Sequence, residues 1–512
     1  MKRLTAILML PGVLLALSHV AFAQEEPAPG EEGVRVNADK INAAVQKGVE
    51  CLKRLQSADG SWVTNKALES RYPEGTTALV LLALLKSGMD RNDNQIKSGF
   101  AFIRSRPYNA VYSVSCLILA LEALYTPPPE PEQPAEKKKE EEKKDEKKGQ
   151  TTLPVPPVVP QEKQIEKNFQ RNATPQDRKL LEDAVRWLIS KQHTNVWRYP
   201  GGSPGGGAPT NPGTGTNSGL EDFSNTQYAM LALNAARRMG YPVPADVWLK
   251  VADYAIRNQE AKGPKVDWFP VPAADFDISK LKGMEEKILK ELQKAVTDYN
   301  TEVKKAQKEG KTPEEAGVQK PGEGPKTTVV IPNPYKEKQY GAEKKDMFAR
   351  GWAYLPKPEQ EVSGSMTTSG VSALVICKVG LEGTAQWSSI KEKVNSAIRD
   401  GCAWLAKNFA VGSNPNAGGM WHHYYLYGLE RAGVLSLARK LGNHDWYEEG
   451  ANYLVVAQAA DGSWAEDANI SAMTNTCFAL LFLKKATAPI VQLPGEGQIF
   501  TGEGLTGPGK GK

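Results

Sequence analysis

Gln458–Trp464 reads QAADGSW, and 402 positions earlier Gln56–Trp62 reads QSADGSW. Two copies of Gln-x-x-Asp-Gly-Ser-Trp in a chain of 512 residues mark an internal repeat. Asp-Gly supplies a tight turn, because glycine takes positive φ without steric cost. The tryptophan that follows can fold back over the helix ends and bury a large face. Each copy has a helical run ending in Gln before it and an apolar run rich in small residues after it. The unit that repeats is therefore a pair of helices.

Working outward from these turns, residues of period near 3.6 define twelve helical segments. Ile41–Gln56, Asn94–Arg104, Pro175–Gln192, Ala245–Gln259, Ser388–Asn408 and His444–Gln458 are amphipathic. Thr76–Ser87, Asn109–Tyr125, Asn225–Met239, Thr367–Val379, Trp421–Val434 and Met473–Lys485 are apolar nearly all round. The two kinds alternate strictly. An all-round apolar helix is buried, whereas an amphipathic one faces water on one side. Alternation predicts six hairpins, each with an outer and an inner helix, in an all-α fold. No single pair can bury its own faces, so a closed α6/α6 toroid is expected rather than an open array. Outer helices would then end, and inner helices begin, at one common rim that carries both DGSW turns.

Composition divides the chain. Residues 1–23 read as a secretory signal peptide: Lys2 and Arg3, the apolar run Ala6–Leu17, and the small-x-small site Ala21-Phe22-Ala23. Residues 24–125 hold hairpins 1 and 2. Residues 126–174, Pro-rich around the charge block Lys137–Lys148, read as a solvated linker unable to bury apolar area. Residues 175–261 hold hairpin 3 and the outer helix of hairpin 4. Residues 262–345 form an insertion with one charged helix, near Ser279–Gly310. Residues 346–488 complete the toroid, and 489–512 read as a disordered Gly-rich tail. Export to a periplasm, cell envelope or extracellular space is expected, with no membrane span in the mature chain.

Removing Lys2 and Arg3 takes the formal net charge from +5 to +3, too mild for a nucleic-acid partner. The five cysteines fall in apolar helices without metal-ligand spacing, so free buried thiols are expected. A Cys51–Cys477 bridge is the alternative if the first and last pairs meet. No metal and no cofactor is expected.

On the strength of the two DGSW segments the chain resembles the terpenoid cyclase and protein prenyltransferase superfamily. They are similar to the Gln-Trp motifs of squalene and hopene cyclases. Gln192–Trp197 (QHTNVW) and the region around Trp268 and Trp352 are weaker relatives, and TTALVLLALL, NTQYAMLAL and NTCFALLFL resemble the inner helices of that group. The resemblance implies the toroid. The cyclases protonate an alkene with the central acid of Asp-x-Asp-Asp-Thr-Ala. The corresponding starts here read Pro-Glu-Gly-Thr-Thr-Ala (73–78) and Asp222-Phe-Ser-Asn-Thr, with Ser224 where the acid should stand. Prenyltransferases hold zinc through Asp-x-Cys and a later His; Asn475 stands where the His would lie near Cys477. Neither chemistry carries over.

Ligand-binding candidates remain at the inner-helix starts. WHHYYLY (421–427) places His422, His423 and Tyr424 at the rim, with His422–Tyr425 or His423–Tyr427 able to share a helix face. Asp222, Asn225 and Gln227 form a second polar group, with Asp222 or Ser224 as an N-cap. Trp197 and Trp352, with Tyr199, Trp268, Phe269 and Tyr354, are expected in rim loops, where exposed aromatics suit a glycan, a lipid or a protein partner. The expected function is binding of such a ligand without cyclase activity. The alternatives are a cyclase with a divergent acid, such as Asp222 or Glu74, and a carbohydrate-active toroid using Asp222 with Glu361 or Asp467.

Overall fold

The computed structural model describes residues 37–64, 66–126, 161–198, 222–318, 344–355 and 361–491. The expected signal peptide, residues 127–160 of the linker, Tyr199, Glu221 and the tail beyond residue 491 lie outside these. Everything below belongs to one compact unit, within residues 36–512.

In chain order the helices are α1 (Ala38–Arg54), α2 (Ala67–Ser70), α3 (Pro73–Lys86), α4 (Asn94–Arg104), α5 (Val111–Tyr125), α6 (Gln161–Asn172), α7 (Pro175–Ser190) and α8 (Phe223–Arg238). They continue with α9 (Ala245–Asn258), α10 (Pro272–Asp275), α11 (Ile278–Lys308), α12 (Gly364–Leu381), α13 (Trp387–Lys407), α14 (His422–Ser436), α15 (Trp446–Ala457) and α16 (Ala472–Leu483). Among the described residues the fold is all-α apart from one short ribbon and two isolated bridges. Each of the twelve expected helices is present, with ends within three residues of the sequence reading. The apolar six are buried along almost their whole length. Among them α3 packs on α5, α5 on α8, α8 on α12, α12 on α14, α14 on α16, and α16 returns to α3. The amphipathic helices cover these; α1, for example, lies on α3, α15 and α16.

Four tryptophans, all fully buried, repeat one set of bonds. The indole N–H of Trp62, Trp197, Trp352 and Trp464 donates to the carbonyl of Leu52, Leu188, Ala255 and Leu454, each at 2.7–2.8 Å near the end of an amphipathic helix. Their backbone amides donate to Thr77, Thr226, Thr367 and Thr476 in the apolar helix that follows, at 3.0–3.3 Å. The glutamine ahead of each tryptophan reaches the next amphipathic helix. Gln56, Gln192, Gln259 and Gln458 donate to the carbonyls of Gln95, Val247, Ala397 and Ala44. Four residues beyond these acceptors stand Gly99, Val251, Gly401 and Gly48. A Cβ on the glycines would lie 2.9, 2.7 and 3.1 Å from the Trp62, Trp352 and Trp464 rings respectively. Three of the four tryptophans thus lie against a bare helix backbone. Burying each indole stabilises the fold by about 4–6 kcal/mol, from about 150–250 Å² at about 25 cal/mol per Å². The Gln458 bond spans 414 positions and ties the end of α15 to α1.

Three expectations about the connecting segments need correction. Residues 161–172 of the expected linker are the helix α6, whose Ile165 and Phe169 are buried against α5 and α8. Those two residues, spaced i and i+4, give a short apolar stripe that the charges around it obscured. The insertion contains the charged helix as α11, but also a two-residue antiparallel pairing of β1 (Lys265–Val266) with β2 (Met347–Phe348). Glu382, from the end of α12, accepts the Ile278 and Ser279 amides and so caps α11 from outside. The tail begins later than residue 489, since Val491 is buried with Phe276, Ile278, Leu281 and Leu437. All five cysteines are free and buried, so the Cys51–Cys477 bridge does not form.

Candidate functional site

At the start of α8 the helix needs an acceptor for its first amides, and Asp222 supplies it. Its Oδ1 accepts from the Ser224 hydroxyl at 2.6 Å and the Asn225 amide at 2.8 Å. Its Oδ2 accepts from the Asn225 side-chain amide at 2.9 Å. The carboxyl is fully buried. Burial pushes its pKa above the ordinary value, and the bonds from Ser224 and Asn225 pull the other way. Asp222 and Asn225 are therefore brought together, as the sequence suggested, but their polar atoms are used on each other and on the helix end.

Gln227 faces a different neighbour. Its side-chain amide donates to the Tyr424 hydroxyl at 3.1 Å, while its Oε1 has no hydrogen-bond partner. This bond joins the two polar groups that the sequence placed at separate helix starts. Around it, aromatic side chains from four apolar helices meet. Tyr228 stacks on Tyr424 with centroids 6.3 Å apart, and Tyr112 leans on Tyr228 at 4.7 Å. Phe478 packs against both Tyr424 and Tyr427. These rings come from α5, α8, α14 and α16.

The His422 and His423 rings lie 5.1 Å apart, tilted by 43°, and their remaining neighbours differ. The His422 Nε2 lies 2.8 Å from the Val411 carbonyl, so that nitrogen carries the proton and donates. Its ring rests edge-on against Tyr453 rather than Tyr425. His423 is buried, and its Nε2 has no partner. Burial pushes His423 down to about 3, with the neighbouring His422 adding to the effect, so it stays neutral. The expected His422–Tyr425 and His423–Tyr427 faces are not used. Tyr425 is buried with its hydroxyl unpartnered, and Tyr427 turns to Phe478 and Arg431. The turn before α14 is strained. Asn416 and Trp421 both take left-handed backbone conformations, at φ 60° and 61°. The Trp421 amide is held by Asp467 at 3.1 Å, and Met420 beside it is 42% exposed.

Trp197 and Trp352 are not ligand-facing. Both are 0% exposed and belong to the four-fold structural device, which their rim-loop position in the sequence could not reveal. Trp268 is no equivalent of Trp352: it is half-buried, with Lys344 over its ring. Phe269 is buried, and Tyr354 half-buried. Glu74 accepts from Ser113 at 3.0 Å, and Thr77 and Thr367 are occupied by the tryptophan amides. Asp467 accepts from Trp421, Asn469 and Ile470. Among the described residues no group of three His, Cys, Asp or Glu side chains is placed to hold a metal.

The residues missed in the sequence lie at the other ends of the apolar helices. Glu122 and Arg238 form a buried bidentate pair at 2.7 and 2.9 Å, linking α5 and α8. Glu430 and Arg431, adjacent on α14, are both fully buried. Both Glu430 oxygens accept from Thr487, one from its amide at 3.0 Å and one from its hydroxyl at 2.7 Å. The available signal was charge inside an apolar run: LALEALY and VICKVG each hold one charged residue, and YGLERAG holds two. The last gives Lys378, whose ammonium donates to the Phe276 carbonyl and to Asn395, pinning the insertion to α12 and α13.

No protein-family model and no curated protein matches the chain.

Proposed function

We propose that the protein is an exported α6/α6 toroid of terpenoid-cyclase ancestry. In this reading it binds a partner at the inner-helix rim and does not cyclise isoprenoids. The toroid is supported by the run of contacts that leaves α3 and returns to it through α16, and by the Gln458 bond from the last outer helix to the first. Ancestry is supported by four occurrences of the Gln-Trp device, two of them barely visible in sequence. The observation that carries the functional reading is Asp222. It is the acid left at the cyclase motif position, and both its oxygens are occupied by the bonds that cap α8. A proton donor to an alkene needs a carboxyl held protonated and facing substrate. Near it tyrosines from neighbouring helices meet, Tyr112 on Tyr228 and Tyr228 on Tyr424.

The partner in this reading is a lipid, glycan or protein held at the rim. The rim offers Met420, Trp421 and His422 on a strained turn, an apolar and aromatic surface edged by Asn469 and Asp467. The test uses the purified mature chain in two arms. Incubation with squalene and with an oligoprenyl diphosphate should give no cyclised product, and turnover of either refutes the reading. Retention on isolated cell-envelope polysaccharide or envelope proteins should fall in Trp421→Ala and His422→Ala. Retention equal to wild type in both removes the rim from the reading.

A further inference from the structure

Among the described residues the large apolar side chains open to water are Leu55, Val63, Phe348, Met420 and Val456, the last 84% exposed. Each sits in the last turn of an amphipathic helix or in the segment between it and the next apolar helix. Phe348 belongs to the fourth helix pair. The other four belong to the first, fifth and sixth pairs, and hydrogen bonds join those three. The Arg54 guanidinium donates to the Asp461 carbonyl at 2.7 Å, and the Lys66 ammonium to the Asp467 carbonyl at 3.1 Å. The Asp467 carboxylate holds the Trp421 amide, and the Asn469 side chain reaches the Met420 sulfur at 3.5 Å. Small exposed residues, Ala58, Ala457, Ala460 and Ala465, accompany them in the chain.

The Gln-Trp device does not require this apolar surface. In its four copies the two residues ahead of the glutamine are Arg54-Leu55, Ser190-Lys191, Arg257-Asn258 and Val456-Ala457. The third and fourth pairs keep both positions polar, whereas the first and sixth, which meet, place Leu55 and Val456 in water. Exposed apolar side chains gathered on one sector mark a contact surface. The charge around them narrows what it contacts. From Leu441 to Leu483, in a chain of net charge +5, stand six acids and no Lys or Arg: Asp445, Glu448, Glu449, Asp461, Glu466 and Asp467. The turn 408–421 of the fifth pair carries no charge at all. Lys66 answers Glu466 from across the junction at 3.3 Å, and Arg54 is taken by a carbonyl.

We propose that this sector docks a basic, amphipathic segment of another protein, which lays apolar side chains on Val456, Leu55, Val63 and Met420 and sets Lys or Arg beside Asp461 and Glu466. The inference deepens the rim-partner reading and rests on it, naming the partner as a cationic protein. A second copy of this chain placed face to face would oppose acid to acid. An anionic bilayer would meet the same repulsion. A glycan would want an exposed ring to stack on, and the four exposed side chains are aliphatic.

The experiment offers the mature chain three probes: a synthetic helical peptide with a leucine stripe flanked by lysines, its glutamate-for-lysine counterpart, and vesicles of phosphatidylglycerol. Peptide binding is read by fluorescence anisotropy and vesicle binding by sedimentation. Wild type should bind the lysine peptide at least about tenfold more tightly than the glutamate peptide, with affinity falling as salt rises. Val456→Lys should weaken that binding about tenfold, and Glu466→Gln by less. Val456 is 84% exposed, so the urea midpoint of Val456→Lys should match wild type; should it shift, Val456→Ser takes its place. Equal affinity for the two peptides, equal affinity of wild type and the Val456 variant, or wild type sedimenting with the vesicles overturns the proposal. These readouts involve neither Trp421 nor His422. Envelope retention lost in Trp421→Ala and His422→Ala, with no preference for the lysine peptide, keeps the rim reading and removes this partner. Retention unchanged in those variants, with lysine-peptide binding sensitive to Val456, removes those two residues and keeps this surface.

Discussion

Replacing Glu430 by glutamine should remove a pH dependence that runs opposite to ordinary acid denaturation. Glu430 is fully buried on α14 and accepts twice from Thr487. Desolvation is the largest influence on it and raises its pKa. The Thr487 bonds, Arg431 and Lys86 lower it, and the net result is a rise from 4.5 to about 7. Between these two values the folded chain holds a proton that the unfolded chain has released. Stability from this group is therefore fully present below pH 4.5 and is lost as pH rises through about 7. At about 1.4 kcal/mol per pH unit, the full effect is about 3 kcal/mol. Glutamine keeps the neutral shape and has no proton to lose.

The measurement is equilibrium unfolding in urea at pH 4.5, 6 and 8, for wild type and Glu430→Gln. The quantity of interest is the difference between the two proteins, which cancels groups that do not sense Glu430. Wild type should gain about 3 kcal/mol on the variant between pH 8 and pH 4.5. A difference that stays within about 0.5 kcal/mol across the range refutes the reasoning. It would mean that Glu430 is ionised in the fold, with the attraction of Lys86 and Arg431 outweighing desolvation.

Four further outcomes follow from the same bonds. His423 is held down at about 3 from an ordinary 6.5, so its stability contribution is present above pH 6.5 and drains away toward pH 3, by up to about 5 kcal/mol; His423→Leu should flatten that acid limb in a urea series. Gly99→Val forces a side chain against Trp62 and should cost about 1–3 kcal/mol or more, whereas Val251→Gly beside the fourth device should cost about 1–2 kcal/mol through lost packing and helix propensity, both read from denaturant midpoints. Asp222→Ala should cost about 1–2 kcal/mol as a lost cap and Asp222→Asn clearly less, a ranking that an essential acid would not produce in a ligand-retention assay. A thiol reagent should modify five cysteines in denaturant and almost none in the native protein over minutes, because burial raises the thiols; fewer than five in denaturant would reveal a disulfide.

The helix pairs were legible because burial is written into residue periodicity. TTALVLLALL has no polar face and could only be surrounded, and α3 is. One helix end was legible too: Asp222, read as a cap, holds the start of α8 through its side chain, as Asn37, Asp93, Thr174 and Ser471 do at helix starts for which no cap was named. The Gln-Trp device stood out where Asp-Gly-Ser kept its turn and showed only as a weaker likeness at Gln192–Trp197 and around Trp352. At Trp197 and Trp352 the same hydrogen bonds form from different loops. The reason is that the acceptors are backbone carbonyls and a threonine hydroxyl, which need a position rather than a surrounding motif. Exposure could not be read for the same residues. A tryptophan in a loop is written identically whether the loop turns it outward or folds it under a helix.

The site reading erred in one direction, because sequence rules reward polar residues at helix starts. Ser, Thr, Asp and Asn gather there for capping whether or not chemistry follows. Asp222 is spent in that way, and so is the hydroxyl of Ser471. The informative charges lay where no capping rule asks for an acid: Glu122 and Glu430 deep in apolar helices. A buried carboxylate is costly unless paired, so its persistence in such a run requires a partner from another helix. Glu122 finds Arg238, 116 positions away, and Glu430 finds Thr487, 57 positions away. Arg431 finds neither acid nor carbonyl. It lies instead against ring faces, its guanidinium carbon 3.9 Å from the Tyr427 centroid and 5.3 Å from that of Tyr228.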